Sequence, residues 1–207
     1  MTTVKNVRIF ARNYNDDAVD IEVAEGRIKT ITPTAETGPS KLLLPSLGDV
    51  HAHLDSNRMG QRFRPHTADG TLHGYIMNDR ENWRNGERSV RNQASFAIAT
   101  IVASGGTRIR SHTQIDSDCL LERFSGVRDA LAAYDDVLDS QIVAFPQAGI
   151  VREKGVKDLL DAALSEGADL VGGLDPVQYD RDPKRHLDIV FELAEKHGKG
   201  VDIHLHE

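Results

Sequence analysis

The stretch Leu42-Leu43-Leu44-Pro45-Ser46-Leu47-Gly48-Asp49-Val50-His51-Ala52-His53 decides the reading of the whole chain, because an apolar run gives way within a dozen residues to a polar end carrying two histidines and an aspartate. Outward from it, strand-like and helix-like patterns alternate. After a long polar stretch (54 to 86), Val90, Ala94, Ala97, Ile98, Ile101 and Val102 share one helical face, closed by Gly105-Gly106. A strand at Thr107 to Thr113 follows, then a helix with Leu120, Phe124, Val127, Leu131 and Leu138 on one side, and a strand at Gln141 to Phe145. A third helix carries Val156, Leu159, Leu160, Ala163 and Leu164, and a fourth Leu187, Val190, Phe191 and Ala194; their strands are Leu170 to Gly173 and Val201 to His206. Five core strands, counting the first at Leu42 to His53, and four helices at this spacing fit right-handed parallel crossovers, an α/β fold with polar residues at the C-terminal end of every strand. A (β/α)8 barrel cut short and a complete five-stranded doubly wound sheet both satisfy the periodicity.

Upstream, residues 1 to 44 hold short strand-like pieces (Val7 to Ile9, Val19 to Val23, Arg27 to Ile31) with Glu25-Gly26 as a turn, a small antiparallel β element. The expected organisation is this element at 1-44 and an α/β domain at 45-207. The composition, 39% hydrophobic and 28% charged over 207 residues, is that of an ordinary globular chain. A net charge of -7, with 25 basic residues scattered among 32 acidic ones, argues against a nucleic-acid partner. Neither a charged-then-apolar leader nor an apolar run of membrane-spanning length is present, so the expectation is a cytoplasmic protein with no membrane partner. The single cysteine, Cys119, excludes cysteine-rich zinc sites and leaves His and carboxylates to hold any metal.

Side chains two apart in an extended chain point the same way, so His51 and His53 can both reach one ion, with Asp49 before and Asp55 after. The alternative is a pair of solvated strand-end histidines. Asp202-Ile203-His204-Leu205-His206-Glu207 repeats the pattern, adding a third inward imidazole, His204, and a nearby carboxylate, Glu207. Three imidazoles leave an ion open positions for water, whose pKa the metal lowers toward neutrality, and a nearby Glu can carry protons to a leaving amine. Phe145-Pro146-Gln147 ends another strand in an amide that both donates and accepts, which suits the N–H and C=O edge of a heterocycle. His112 reads as a pocket residue or as a hydrogen-bonded structural histidine. His73, with Tyr75, sits in the long stretch before the first helix, the kind of loop that covers a site or is simply exposed.

The segment Pro45 to Asp55 resembles the P-G-F-x-D-x-H-x-H-x-D run that opens the barrel of metal-dependent amidohydrolases. Gly70-Thr71-Leu72, Arg110-Ser111-His112, Ile142 to Ile150, Gly167 to Gly173 and Asp202 to Glu207 are similar, in order and spacing, to cytosine deaminase and its relatives. The resemblance implies a small β-sandwich element followed by the N-terminal part of a TIM-type (β/α)8 barrel. It implies that His51, His53 and His204 bind one divalent ion (Fe2+ or Zn2+), that Gln147 holds the substrate ring, and that Glu207 is the catalytic proton shuttle; His73 and His112, from their own positions, are the further substrate-binding candidates. The implied reaction is attack of metal-bound hydroxide on a ring carbon of a cytosine-like heterocycle, with ammonia or an amine leaving, in a homo-oligomer.

Three departures from the family pattern bear on substrate. Ser46 and Gly48 replace a Gly and a bulky apolar residue, Thr113-Gln114 stands for Val-Asp, and His206 stands where cytosine deaminase has an acid. The His-x-His form resembles instead the isopropylammelide amidohydrolase branch, for which an alkylamine leaves a triazine-like ring. The family takes a further His from its sixth strand and an Asp from its eighth, beyond the five strands counted, so a truncated half-barrel is expected, and an inactive metal-binding fragment is the competing reading. A nucleotide-binding domain is disfavoured because no G-x-G-x-x-G or G-x-x-x-x-G-K-[ST] follows a strand.

Overall fold

In a computed structural model that describes residues 1–10 and 17–206, the chain divides into two compact units, Met1–Ser46 and Leu47–Glu207. The first unit is one sheet of four strands, β1 (Thr2–Ile9), β2 (Val19–Ala24), β3 (Arg27–Pro33) and β4 (Lys41–Leu43), in the order β3-β2-β1-β4. The β2–β3 hairpin turns at Glu25 and Gly26, which hold φ of 54° and 69°; two successive left-handed residues match the right-handed twist of the strands they join. The sequence places Leu42 to Leu44 at the start of the α/β pattern, and here the structure differs. Lys41–Leu43 pairs in parallel with Val7, Arg8 and Ile9, so the apolar run closes the small sheet. Pro45 has no N–H to continue that ladder, and the next strand begins two residues later.

The second unit carries five strands: β5 (Leu47–Ala52), β6 (Gly106–Gln114), β7 (Asp139–Phe145), β8 (Leu170–Leu174) and β9 (Gly200–His204). They are hydrogen-bonded in the order β5-β6-β7-β8-β9 and every pairing is parallel. A doubly wound sheet reverses its winding at a switch point, whereas a barrel adds each strand beside the last. This sheet does the latter.

Five helices connect the strands: α1 (Leu72–Asn82), α2 (Val90–Ala103), α3 (Glu122–Leu131), α4 (Val156–Ser165) and α5 (Pro183–His197). Ala94, Ala97 and Ile98 of α2, Phe124 and Val127 of α3, Leu160 and Ala163 of α4, and Val190 and Leu193 of α5 pack with Ile109, Ile142, Ala144 and Val171 of the strands into one core. α1 is the helix that periodicity misses. Its sequence has no apolar stripe and it buries only Ile76, so its start rests on the Thr71 hydroxyl, which accepts from the Gly74 N–H at 3.0 Å. His73 therefore lies in a helical first turn, not in a loop.

The third helical segment also differs. Leu120 is exposed at φ 48° ahead of α3, and Leu138 is buried beyond the 3-10 turn Ala132–Tyr134. On α5 the buried face runs through His186, Val190, Leu193 and Ala194, leaving Phe191 52% exposed.

Candidate metal centre

His51 lies in β5 and His53 just beyond its end, while His204 is the last residue of β9. β5 and β9 are the two edges of the sheet, yet His51 Nε2 and His204 Nε2 are 3.1 Å apart. Five flat strands at about 4.8 Å spacing would separate those edges by roughly 19 Å, too far for two imidazoles to bridge. Eight tilted strands close into a ring roughly 15 Å across, in which the first and fifth stand opposite and their inward side chains meet near the axis. The sheet is therefore curled as an arc of such a barrel, and the meeting of these two histidines is its signature.

The ligand nitrogens of His51, His53 and His204 all lie within 4.8 Å of one another. Nitrogen-to-metal distances of about 2.0–2.1 Å limit two ligands of one ion to about 4.2 Å, so the set needs to contract by only about half an ångström. Two of the rings, His53 and His204, are also held in their neutral, ligating form. Burial, then the neighbouring His112, His51 and His53, pushes His204 down to about 4. Burial likewise lowers His53, with Asp55 opposing and His51 adding to the shift. Three converging imidazoles, two of them with nitrogens 3.1 Å apart, fit a divalent cation better than they fit one another.

His112 is fully buried on β6 and stacks on His51 with centroids 4.4 Å apart. Its Nε2 is 3.2 Å from Asp202 Oδ1, off the line of a hydrogen bond, and Asp202 Oδ2 accepts from Arg110 at 2.8 Å. Burial lowers the His112 pKa against the pull of Asp202. Phe145, the last residue of β7, floors the cluster with its ring 4.4 Å from that of His204.

No family model matches the chain. Among curated proteins it is 31% identical to the uncharacterized protein YahJ of Escherichia coli (strain K12), over 90% of this chain and 43% of that one. It is 28% identical to the N-isopropylammelide isopropyl amidohydrolase of Pseudomonas sp. (strain ADP), over 93% of this chain and 50% of the relative. Among solved structures, N-isopropylammelide isopropylaminohydrolase from Burkholderia multivorans ATCC 17616 superposes with a TM-score of 0.86 at 34% identity, over 99% of this chain and 53% of that one. The chain belongs to the amidohydrolase superfamily. It spans about half the length of the relatives it matches.

Within this amidohydrolase chain the other predicted residues fall as follows. Gln147 is half-buried two residues past Phe145, and no hydrogen bond or ring contact among the described residues joins its side chain to the imidazoles. His73 is exposed, its Nδ1 3.3 Å from the hydroxyl of buried Tyr179 in the loop after β8. His206 sits past the end of β9 at φ 66°, its N–H donating to Asp175 Oδ2 at 3.0 Å, so the second His-x-His pair does not continue as a strand. Glu207 lies outside the described residues.

Sequence reasoning assigned no role to Arg110, Asp202 or Arg123. Arg123 on α3 is completely buried, its guanidinium 2.6 Å from Asp79 Oδ2 and 3.4 Å from Asp55 Oδ2, and 4.7 Å over the Trp83 ring. It ties α1 to Asp55, two residues past His53. Among the described residues no helix is long and apolar enough to cross a membrane.

Proposed function

We propose that this chain carries the metal-holding part of a hydrolase that removes an amine from a carbon of a nitrogen heterocycle. The observation that carries the proposal is the convergence of His51, His53 and His204 from opposite sides of a curled parallel sheet, at the C-terminal strand ends where such folds place their chemistry. These three would hold one divalent ion, Fe2+ or Zn2+. When bound, the ion supplies Lewis acidity, which makes water a competent nucleophile near neutral pH.

The chain's own residues supply the rest. His112 stacks on His51 and Phe145 packs against His204, and burial favours the neutral, ligating form of His53 and His204. Gln147 offers an amide able to donate to and accept from a ring edge, and His73, positioned by Tyr179, would contact substrate from α1. Glu207 would move the proton to the departing nitrogen. The same reading makes the protein a cytoplasmic homo-oligomer with a small heterocyclic substrate.

A second reading, loss of an alkylamine from a triazine-like ring in place of ammonia from a cytosine-like one, is favoured by two matches that both carry the name of an N-isopropylammelide hydrolase. Elemental analysis of the purified chain beside His51→Ala and His204→Ala tests the site. Near-stoichiometric iron or zinc, lost in both variants, is expected; a folded chain without metal refutes it. Ammonia release from cytosine against isopropylamine release from N-isopropylammelide then separates the two substrates.

A further inference from the structure

A second cavity, of about 500 Å³, opens between the 56–67 segment and α1, and shares no lining residue with the imidazole cluster. Its size is that of a small-molecule site. What sets it apart is charge: in a chain of net charge -7, it is lined by Arg58, Arg62 and Arg64 together with His66, and by one acid, Asp79. That acid is already committed, its Oδ2 accepting from Arg123 at 2.6 Å.

Among the described residues, none of the three arginines reaches a carboxylate at ion-pair distance. Arg58 donates to the carbonyls of Asn82 and Trp83 at 3.0 and 3.4 Å, and Arg64 to that of Asn85 at 3.0 Å. Those carbonyls end α1 and its 3-10 extension, where cations are favoured, so the two side chains are fixed without being neutralised. The guanidinium of Arg62 has no hydrogen-bond partner among the described residues, while its backbone N–H donates to Glu87 at 3.4 Å. Each guanidinium carries five donors in a planar fork and uses at most part of it here. Asn78, Asn82 and Asn85 add neutral polar side chains, and Phe63, 86% exposed, adds an aromatic face.

We infer that this cavity binds a small molecule through an oxyanion, a carboxylate or a phosphate, gripped by Arg62 and Arg64. The inference is independent of the metal-site reading, because no residue is common to both. A carboxylate on a flat ring would use the fork and Phe63 together; a phosphate would use the fork alone.

Isothermal titration of the 207-residue chain with isonicotinate, with its neutral amide and with inorganic phosphate tests it. The expected result is saturable binding of at least one anion, at least tenfold weaker binding of the amide than of the acid where the acid binds, and about tenfold loss in each of Arg62→Gln and Arg64→Gln. Arg91→Gln, an exposed arginine on α2 outside the cavity, binds like the parent. Which probe saturates distinguishes the two oxyanion sources. The inference is overturned by no binding of either anion up to about 10 mM, by equal affinity for the amide, or by a folded Arg62→Gln/Arg64→Gln double variant that binds as tightly as the parent.

Discussion

Replacing Arg123 by methionine removes a cation from a place with no access to water. The side chain is fully buried, contacts Asp79 at 2.6 Å and Asp55 at 3.4 Å, and lies over Trp83. Asp55 has one further support, the Gln114 N–H at 3.1 Å, and its other oxygen has no hydrogen-bond partner. Breaking a buried pair from one side strands the other partner, at a cost of about 3–5 kcal/mol. A domain of this size holds only about 5–15 kcal/mol in total, so the variant should be near the edge of folding, whereas the exposed Lys184–Asp188 pair is screened by solvent and its loss should barely register. The loss also has a sign in pH. Burial raises the Asp79 carboxyl, and Arg123 opposes that rise. Without Arg123 the carboxyl rises further; an acid raised in the folded state penalises folding above its folded pKa and stops doing so once pH falls below its unfolded value. The deficit should therefore be full at neutral pH and narrow below about pH 4. Urea unfolding of Arg123→Met and Arg123→Met/Asp79→Asn, at neutral and acid pH, measures this. A single-variant loss under about 1 kcal/mol, or no recovery in the double variant, would refute the account.

Stability of the metal-free chain should also fall as pH drops from 6.5 toward about 4, because unfolded histidine takes up its proton before His204, held at about 4, can do so. His53 and His112 are lowered in the same direction, and His204→Ala should flatten the profile seen in chemical denaturation; an unchanged profile would remove His204 from the explanation. Asp202→Asn should leave the fold intact but weaken zinc binding about 10- to 100-fold in a competition titration, since it frees His112 and Arg110 beneath the ligands; an unchanged affinity would reduce Asp202 to a strand residue. In Gly173→Ala a Cβ would meet His186 Nε2 at 2.6 Å and Ile203 at 3.0 Å, and His186 cannot retreat because its Nδ1 is held 2.6 Å from Asp180. A loss of about 1–3 kcal/mol is expected, and a thermal midpoint equal to the parent's would show that β8 yields.

The parts of the fold that could be read from the chain are those whose signal is local. The strands at 107 to 113 and 141 to 145, and the helices around Ala97 and Leu160, announce themselves through period and flanking glycines, and their ends lie within two residues of where the structure puts them. α1 could not be read that way, because a helix that buries one residue has almost no apolar period to detect; only Thr71, three residues before Gly74, marked its start. The Leu42 to Leu44 run misled for the opposite reason. Its apolar character is real, but a three-residue strand fits either sheet, and the proline that separates them was the better guide.

The same division runs through the site. His51, His53 and His204 stand out because strand-end imidazoles at spacing two have few uses, and each can be recognised without knowing what lies across the barrel. Arg110, His112 and Asp202 form their lattice across 92 residues of sequence, between β6 and β9, strands that are not neighbours in the sheet. Nothing in Arg110-Ser111-His112 or in Asp202-Ile203-His204 names the other; only curvature brings them together. A flat five-stranded sheet with the same sequence would keep every strand pairing and lose this lattice. It would also lose the His51–His204 contact, so the supports of the ligands and the ligands themselves depend on one quantity, the closure of the arc. Asp202→Asn and His204→Ala therefore probe the same geometry from two sides: the first removes a brace while the three imidazoles remain, the second removes a ligand while the brace remains.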